Sequence, residues 1–204
     1  MPAAGRGLRL FYCYRDSPIR RVALAVGPGA PGRYTLHGLD ELAARGVDVR
    51  HNLERMPPRV VARGAAMANR VLHGVGGYGG GFASVLASRG VLNRADVVVS
   101  TDDSVGLPVV LLRRGHLVRP PVVYLAIGLP ERLEQLGSER MRRAYAAALR
   151  EAHTIAAFSS AEVEAIGSWL ERFGPCPALE FLPFGVDTEH FRPRPERPAT
   201  VDVL

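Results

Sequence analysis

Val97-Val98-Val99-Ser100-Thr101-Asp102-Asp103-Ser104 is the stretch that decides the predicted fold class. An unbroken run of valines is typical of a strand that is covered on both faces of a parallel sheet, and polar residues follow it at once. Residues 107–114 have helical character, and the apolar run 122–127 then has the length of another buried strand. A strand, a helix and a strand in this order predict a βαβ unit with a right-handed crossover.

The same alternation of strand-like and helix-like segments extends over most of the chain. The predicted strands are residues 22–26, 47–49, 97–101, 122–127, 154–159 and 179–183. The predicted helices are residues 34–45, 59–72, 107–114 and 131–151, the last with a break at Gly137-Ser138, and a helix that begins at the capping box Ser159-Ser160-Ala161-Glu162 and ends at Gly174. We therefore predict an α/β protein with a Rossmann-like parallel sheet and helices on both faces.

The composition excludes several classes of site. All 26 residues counted as Lys+Arg are arginine, so P-loop and Schiff-base chemistry, which need a lysine, are excluded. The six histidines are scattered singly, and no metal site is expected. Cys13 and Cys176 lie too far apart in the sequence for a CxxC pair or a disulfide framework. No apolar run approaches the roughly 20 residues of a membrane helix, so we expect a soluble, cytoplasmic protein.

The charge leaves two interpretations open. The formal net charge is +6 and the sequence pI is about 10.0. The arginines are spread along the chain without interleaved aromatic residues, so a nucleic-acid partner is not expected. A solvated arginine surface is one interpretation. The other is an anionic partner, such as a phosphate, a nucleotide or an acidic lipid headgroup, and it includes peripheral contact with an anionic membrane at the inner face.

Two glycine-rich segments match GxGxxG. The first, Gly27-Pro28-Gly29-Ala30-Pro31-Gly32, follows a predicted strand and precedes a predicted helix, as a dinucleotide-binding loop does. Its prolines lack the N–H groups that would bind a pyrophosphate, and Asp48 is expected in mid-strand and not at a strand end. A loop that lines an acceptor and a plain tight turn are the other interpretations. The second match, residues 74–79, follows a helix and predicts a flexible connector.

Ligands of open parallel sheets bind beyond the carboxyl ends of the strands. This rule selects Asp102 and Asp103, because they follow a predicted strand directly. One of these carboxylates could hydrogen-bond a sugar or activate a hydroxyl, and Asp102 is the predicted catalytic residue. The alternative is that Asp103 or Ser104 caps a helix that begins near Val105.

Residues 182–193, Leu-Pro-Phe-Gly-Val-Asp-Thr-Glu-His-Phe-Arg-Pro, resemble the P-x-G-V-D-x-x-x-F-x-P junction of family 4 glycosyltransferases. Residues 39–49 resemble the first helix and second strand of that family. Two positions depart from the family's pattern: Phe184 stands where an Asn is frequent, and Gly128 where many members have a His. The resemblance implies one lobe of a GT-B fold, in which two Rossmann-like lobes face each other across a cleft.

The resemblance also implies a function and a division of the chain. Family members transfer a hexose from a nucleotide-sugar with retention, usually without an essential metal. Residues 1–191 would be the N-terminal acceptor lobe, and 192–204 the linker and start of a truncated donor lobe, so the chain alone would be inactive. No bound cofactor is expected, because the nucleotide-sugar is a co-substrate held mainly by the missing lobe.

The acceptor would be a sugar, a lipid or a small metabolite. The acceptor-binding residues implied are Gly27, Pro28, Gly29, Thr101, Asp102 and Gly128. The hinge residues implied are Phe184, Gly185, Asp187 and Phe191. Two other functions stay open: a Rossmann-type nucleotide-binding oxidoreductase and a non-catalytic binding module.

Overall fold

A computed structural model of the chain describes residues 7–30, 32–183 and 185. Within these residues, six parallel strands form one sheet in the order β2-β1-β3-β4-β5-β6. The strands are β1 (Arg9–Cys13), β2 (Asp48–His51), β3 (Val97–Ser100), β4 (Val122–Ala126), β5 (Thr154–Ala157) and β6 (Ala178–Phe181). The predicted α/β class with a Rossmann-like sheet is confirmed.

Helices connect successive strands on the two faces of this sheet. They are α1 (Pro18–Val26), α2 (Leu39–Ala44), α3 (Arg59–Gly74), α4 (Phe82–Leu92), α5 (Asp103–Arg114), α6 (Leu129–Glu134), α7 (Glu139–Leu149) and α8 (Ser160–Glu171). Two short 3₁₀ helices, Arg33–Leu36 and Asn52–Glu54, flank α2 and β2. No helix among the described residues is both long enough and apolar enough to cross a membrane.

The core lies in two layers, one on each face of the sheet. Along β1, Phe11 and Cys13 belong to the larger layer, together with apolar side chains of α4, α5, α7 and α8. Leu10 and Tyr12 point to the opposite face and pack with side chains of α1 and α2. Successive strand residues face opposite sides of a sheet, so β1 contributes to both layers. Each fully buried large apolar side chain stabilises the fold by about 1.5–3 kcal/mol.

One predicted strand is wrong. Residues 22–26 form the C-terminal half of helix α1, and the first strand of the sheet, β1, has no counterpart among the predicted strands. Ser17 is the N-cap of α1, its side chain accepts a hydrogen bond from the backbone N–H of Arg20 at 3.4 Å, and Pro18 occupies the first turn. Ser-Pro is a helix-start signal, and here it outweighs the β-propensity of the valines that follow. The other five predicted strands are confirmed, and none of their ends differs from the prediction by more than two residues.

The predicted helices differ mainly in their ends. The predicted helix 34–45 is divided at His37 and Gly38, which both have positive φ (50° and 78°), into a 3₁₀ turn and α2. The predicted break at Gly137-Ser138 is confirmed: it separates α6 from α7, and Ser138 caps α7. Helix α5 begins at Asp103, earlier than predicted, and α4 was not predicted.

The second glycine-rich segment is held by close backbone contacts. The N–H of Gly137 donates to the carbonyl of Gly76 at 2.9 Å, and the N–H of Gly81 donates to the carbonyl of Ser104 at 2.6 Å. A Cβ atom on Gly80 would lie 2.0 Å from that same Ser104 oxygen. The segment predicted as a flexible connector links α3 to α4. The next two glycines, Gly80 and Gly81, contact the start of α5, and the absence of a Cβ atom permits this close approach.

Most of the predicted interdomain junction lies outside the described residues. Phe184, Asp187 and Phe191 are among the residues not described, and so is the predicted linker and donor-lobe segment 192–204. Gly185 is described, and it is exposed. The hinge stays a prediction.

Candidate functional site

The strand order reverses between β1 and β3. The chain passes from β1 through α1 to β2 on one side, and from β3 through α5 to β4 on the other. The turns that follow β1 and β3 therefore diverge at the carboxyl ends of the strands, and an open parallel sheet binds its ligands at such a reversal.

Two adjoining hollows lie at this reversal, and together they are called the crevice below. The first, of about 450 Å³, lies between the start of α1 and the loop before α5. The second, of about 500 Å³, lies between the turn after β1 and the starts of α4 and α5. The two hollows share four lining residues: Arg15, Asp16, Ser104 and Arg132.

Asp102, the predicted catalytic residue, is the N-cap of α5. Its Oδ1 accepts hydrogen bonds from the backbone N–H of Ser104 at 3.0 Å and from the Ser104 hydroxyl. Its Oδ2 lies 3.3 Å from Nη1 of Arg20. The cap is neither Asp103 nor Ser104, and the helix begins at Asp103 and not near Val105. Both oxygens of Asp102 are thus engaged in holding α5 and α1 in place.

Asp103 is the carboxylate that the fold leaves partly unsatisfied. Its side chain is 2% exposed, and its Oδ1 accepts a hydrogen bond of 2.7 Å from the hydroxyl of Tyr124. Its Oδ2 is buried without a hydrogen-bond partner among the described residues, 3.5 Å from Nε of Arg132. Burial raises the pKa of Asp103 to about 7, although the Tyr124 hydroxyl and the Arg132 guanidinium act in the opposite direction. A carboxyl group that titrates near neutrality beside a cleft has the property of a general acid or base.

Tyr78 and Tyr145 support the Arg132 side of the crevice. The guanidinium of Arg132 lies over the Tyr78 ring, 5.7 Å from its centroid. The Tyr145 hydroxyl donates to the carbonyl of Tyr78 and accepts from its N–H at 2.7 Å. The glycine-rich segment therefore carries an aromatic platform for the arginine that faces Asp103.

Two other predicted acceptor residues lie at this edge of the sheet with their polar groups already bonded. Thr101 is fully buried, and its hydroxyl donates to the carbonyl of Cys13 at 3.3 Å. The N–H of Gly128 donates to Oε1 of Glu162 at 2.7 Å. Glu162 is the last residue of the predicted capping box, and Ser159 does accept from its N–H, but its carboxylate reaches across to Gly128. Their role in acceptor binding stays a prediction.

The structure does not bring Gly27, Pro28 and Gly29 to the crevice. They follow helix α1 and not a strand, so the context of a dinucleotide-binding loop predicted for them is wrong. Helix α1 begins at the crevice and extends over nine residues, a length of about 13 Å. The three residues therefore lie beyond the far end of α1, and none of them lines either hollow.

Sequence reasoning missed the turn after β1. Tyr14, Arg15, Asp16 and Ser17 form this turn, and the last three line the crevice. Their signal was the aromatic run 11–14 followed by the helix-start pair Ser-Pro, which together mark a strand that ends at a helix N-terminus. No group of three or more His, Cys, Asp and Glu residues that could hold a metal ion occurs in the described ranges.

Comparison with protein families, curated proteins and solved structures finds no match.

Proposed function

We propose that the chain is the acceptor-binding lobe of a GT-B-type glycosyltransferase, which transfers a hexose from a nucleotide-sugar to a hydroxyl group with retention. The observation that carries the proposal is the buried Oδ2 of Asp103 at the carboxyl edge of the sheet, where the strand order reverses. The resemblance of residues 182–193 to the junction of family 4 glycosyltransferases supports the same assignment.

In this proposal Asp103 binds the reacting hydroxyl of the acceptor. The hydroxyl donates to Oδ2 while Tyr124 keeps Oδ1 in place. When the acceptor oxygen bonds to C1 of the hexose, on the same face of the ring from which the nucleoside diphosphate departs, the bond from C1 to the diphosphate breaks and Asp103 takes the hydroxyl proton. Arg132 stabilises the carboxylate form of Asp103 before the proton is transferred. The donor and the groups that bind it would belong to a second lobe.

The geometry argues against the oxidoreductase alternative. A dinucleotide needs glycines in the turn between the first strand and the first helix, because its pyrophosphate approaches the backbone there. The turn after β1 is Tyr14-Arg15-Asp16-Ser17, without a glycine. Asp48 is the first residue of β2 and so lies at its amino end, opposite to the end where an acidic residue would bind the ribose.

The test is ligand-observed NMR with the purified chain. The panel contains monosaccharides, inositol, alkyl glycosides, a set of nucleotide-sugars and NAD(P). We expect binding of a hydroxylated acceptor that weakens at least tenfold in Asp103→Asn, no binding of NAD(P), and no sugar transfer by the chain alone. Asp48→Asn, at the opposite edge of the sheet, is the matched control and leaves binding unchanged.

Three results would count against the proposal. The first is tight binding of NAD(P), and the second is transfer or hydrolysis of a nucleotide-sugar by the chain alone. The third is acceptor binding that Asp103→Asn and Asp48→Asn affect equally. An acceptor that binds at Asp103 without any transfer in a two-lobed protein would favour the non-catalytic binding module.

A further inference from the structure

Arginine side chains converge on the crevice from three separate parts of the chain. Arg15, Arg20 and Arg21 come from the turn after β1 and the start of α1, Arg55 follows the 3₁₀ helix after β2, and Arg132 belongs to α6. Like charges that line one hollow repel each other, and a surface that only needs solvation has no reason to gather them there. Their convergence therefore calls for a ligand of opposite charge.

The acidic residues of the crevice neutralise only part of this charge. Asp16 forms two hydrogen bonds with Arg21, of 2.6 and 2.7 Å, and Asp102 pairs with Arg20. Asp103 is the third acidic residue, and it faces Arg132. Five arginines and three aspartates leave an excess of two positive charges in the crevice.

Three guanidinium groups of the second hollow are available to a ligand. Arg15 and Arg55 have no ion-pair or hydrogen-bond partner for their side chains within the part of the chain that the structure describes, and both are exposed. Arg132 contacts Asp103 at 3.5 Å without a hydrogen bond, and its side chain is 48% exposed. Guanidinium groups bind phosphate oxygens through paired N–H donors.

Two helix N-termini face the same hollow. Gly81 and Ser84 from the start of α4 and Ser104 and Val105 from the start of α5 belong to its lining. These helices have 11 and 12 residues, so each presents the positive end of a substantial backbone dipole. The same pole of both helices is directed at the hollow into which Arg15 and Arg55 project, which adds to the preference for an anion.

We propose that the second hollow of the crevice binds a phosphate group, as a phosphomonoester or a pyrophosphate, and that the acceptor carries this group. The three available guanidinium groups match a dianion better than a carboxylate, which has a single charge. Arg132 lines both hollows, so a phosphate in the second would place the rest of the ligand beside Asp103 in the first. The identification of this ligand as the acceptor rests on the proposed function. The binding of an anion in the second hollow does not depend on that function.

Isothermal titration of the purified chain with inorganic pyrophosphate and with a hexose 6-phosphate tests the site. We expect both to bind at low ionic strength, and Arg15→Gln and Arg55→Gln each to weaken binding about tenfold, because each removes a charge-assisted contact. Arg45→Gln is the matched control: it removes the same charge from an exposed residue that caps the C-terminus of α2, at the amino edge of the sheet. It leaves the affinity unchanged.

Comparison of vesicle binding with binding of the soluble probes distinguishes a lipid phosphate from a soluble one. Flotation with phosphatidylcholine vesicles, with and without phosphatidic acid, measures binding to a lipid-borne phosphomonoester. Binding to the acidic vesicles that depends on Arg15 and Arg55 assigns the site to a lipid phosphate, and binding of the soluble probes without vesicle binding assigns it to a soluble ligand.

Absence of binding by every phosphate probe would overturn the proposal, and so would equal losses in Arg45→Gln and Arg55→Gln. Neutral acceptors that bind at Asp103 while no phosphate binds would overturn the anion site alone and leave the proposed function standing. Phosphate binding by the chain, without transfer to a phosphorylated acceptor in a two-lobed protein, would leave the anion site standing and overturn the proposed function.

Discussion

The hydroxyl of Tyr124 donates a hydrogen bond of 2.7 Å to Oδ1 of Asp103 and so joins β4 to the first turn of α5 inside the core. The Tyr124 ring is held in turn by Gly106, where a Cβ atom would lie 2.5 Å from the ring. One oxygen of Asp103 is therefore fixed by a rigid partner. The other oxygen is buried and has no hydrogen bond within the described part of the chain, and Asp103 belongs to the lining of the first hollow.

The raised pKa of Asp103 makes the stability of the protein depend on pH. Burial raises this pKa from 3.8 to about 7, against the influence of Tyr124 and Arg132, while Asp102 and Glu162 add to the rise. The folded state therefore binds the proton more tightly than the unfolded state. The stabilisation that protonated Asp103 gives the folded state is complete below about pH 4 and is lost as the pH rises to about 7. Asp103→Asn should remove this loss. We therefore expect the unfolding free energy of the variant, relative to that of the wild type, to increase by about 2–4 kcal/mol from pH 4 to pH 7.

Urea denaturation of both proteins over this pH range measures the difference. Other groups titrate in both proteins, so the contribution of Asp103 is given by the difference between their unfolding free energies at each pH. A difference in unfolding free energy that stays constant from pH 4 to pH 7 would contradict the raised pKa.

Arg132 opposes the rise in the pKa of Asp103, because its positive charge favours the carboxylate. Arg132→Gln is therefore expected to raise this pKa further, by about one pH unit for a partly exposed partner at this distance. The Asp103 carboxyl carbon, followed by NMR during a pH titration, reports the change directly. Arg45→Gln is the control for loss of charge alone and leaves the titration of Asp103 where it is.

Gly80→Ala is expected to destabilise the protein by about 2–3 kcal/mol, because a methyl group there would collide with backbone that has little freedom to move. The added Cβ atom would lie 2.0 Å from the carbonyl oxygen of Ser104. Gly64→Ala is the matched control. Nothing lies within 4 Å of a Cβ atom on Gly64, which is an exposed residue inside α3, and alanine there should stabilise the protein by up to about 1 kcal/mol. Thermal unfolding of both variants checks the pair, and a Gly80→Ala protein as stable as the wild type would show that the α4–α5 contact is loose.

Asn52 extends the pairing of β1 by one residue. Its Oδ1 accepts from the N–H of Tyr14 and its Nδ2 donates to the carbonyl of Tyr14, both at 2.8 Å, in a fully buried position. Asn52→Ala leaves both backbone groups unsatisfied, and we expect a loss of about 2–4 kcal/mol. Urea denaturation should show a lower midpoint at an unchanged slope. A midpoint within error of the wild type would mean that water replaces the side chain at no cost.

The buried strands were predictable because their apolar runs can be recognised from the local sequence, without knowledge of the residues that pack against them. The runs that became β3 and β4 are rich in valine, β5 is Thr-Ile-Ala-Ala, and all but one residue of each strand is buried. Residues 22–26 have the same composition, yet in α1 only Ala23 is buried and Val22 and Val26 are exposed. An apolar run of five residues does not distinguish a strand from a half-covered helix, so the start signal at Ser17 was the better guide.

The site was predictable only to the level of two neighbouring residues. The rule of strand ends selected both Asp102 and Asp103, but which of them caps α5 depends on backbone angles. Asp102 is extended, with φ −168° and ψ 168°, so its side chain turns back onto Ser104. Asp103 already belongs to the helix and points into the core. Arg15 and Arg20 could not be predicted as site residues, because the strand before them, β1, was not among the predicted strands.

The backbone contact between Gly76 and Gly137 has a practical consequence for labelling the protein. Two connecting loops meet there with no side chain between them, and a Cβ atom on Gly76 would lie 3.0 Å from Cα of Gly137. A tag or dye inserted beside either glycine would force the loops apart. The turn at Pro28 and Gly29 is exposed, and a Cβ atom on Gly29 meets nothing within 4 Å, so an insertion or a circularly permuted terminus belongs there.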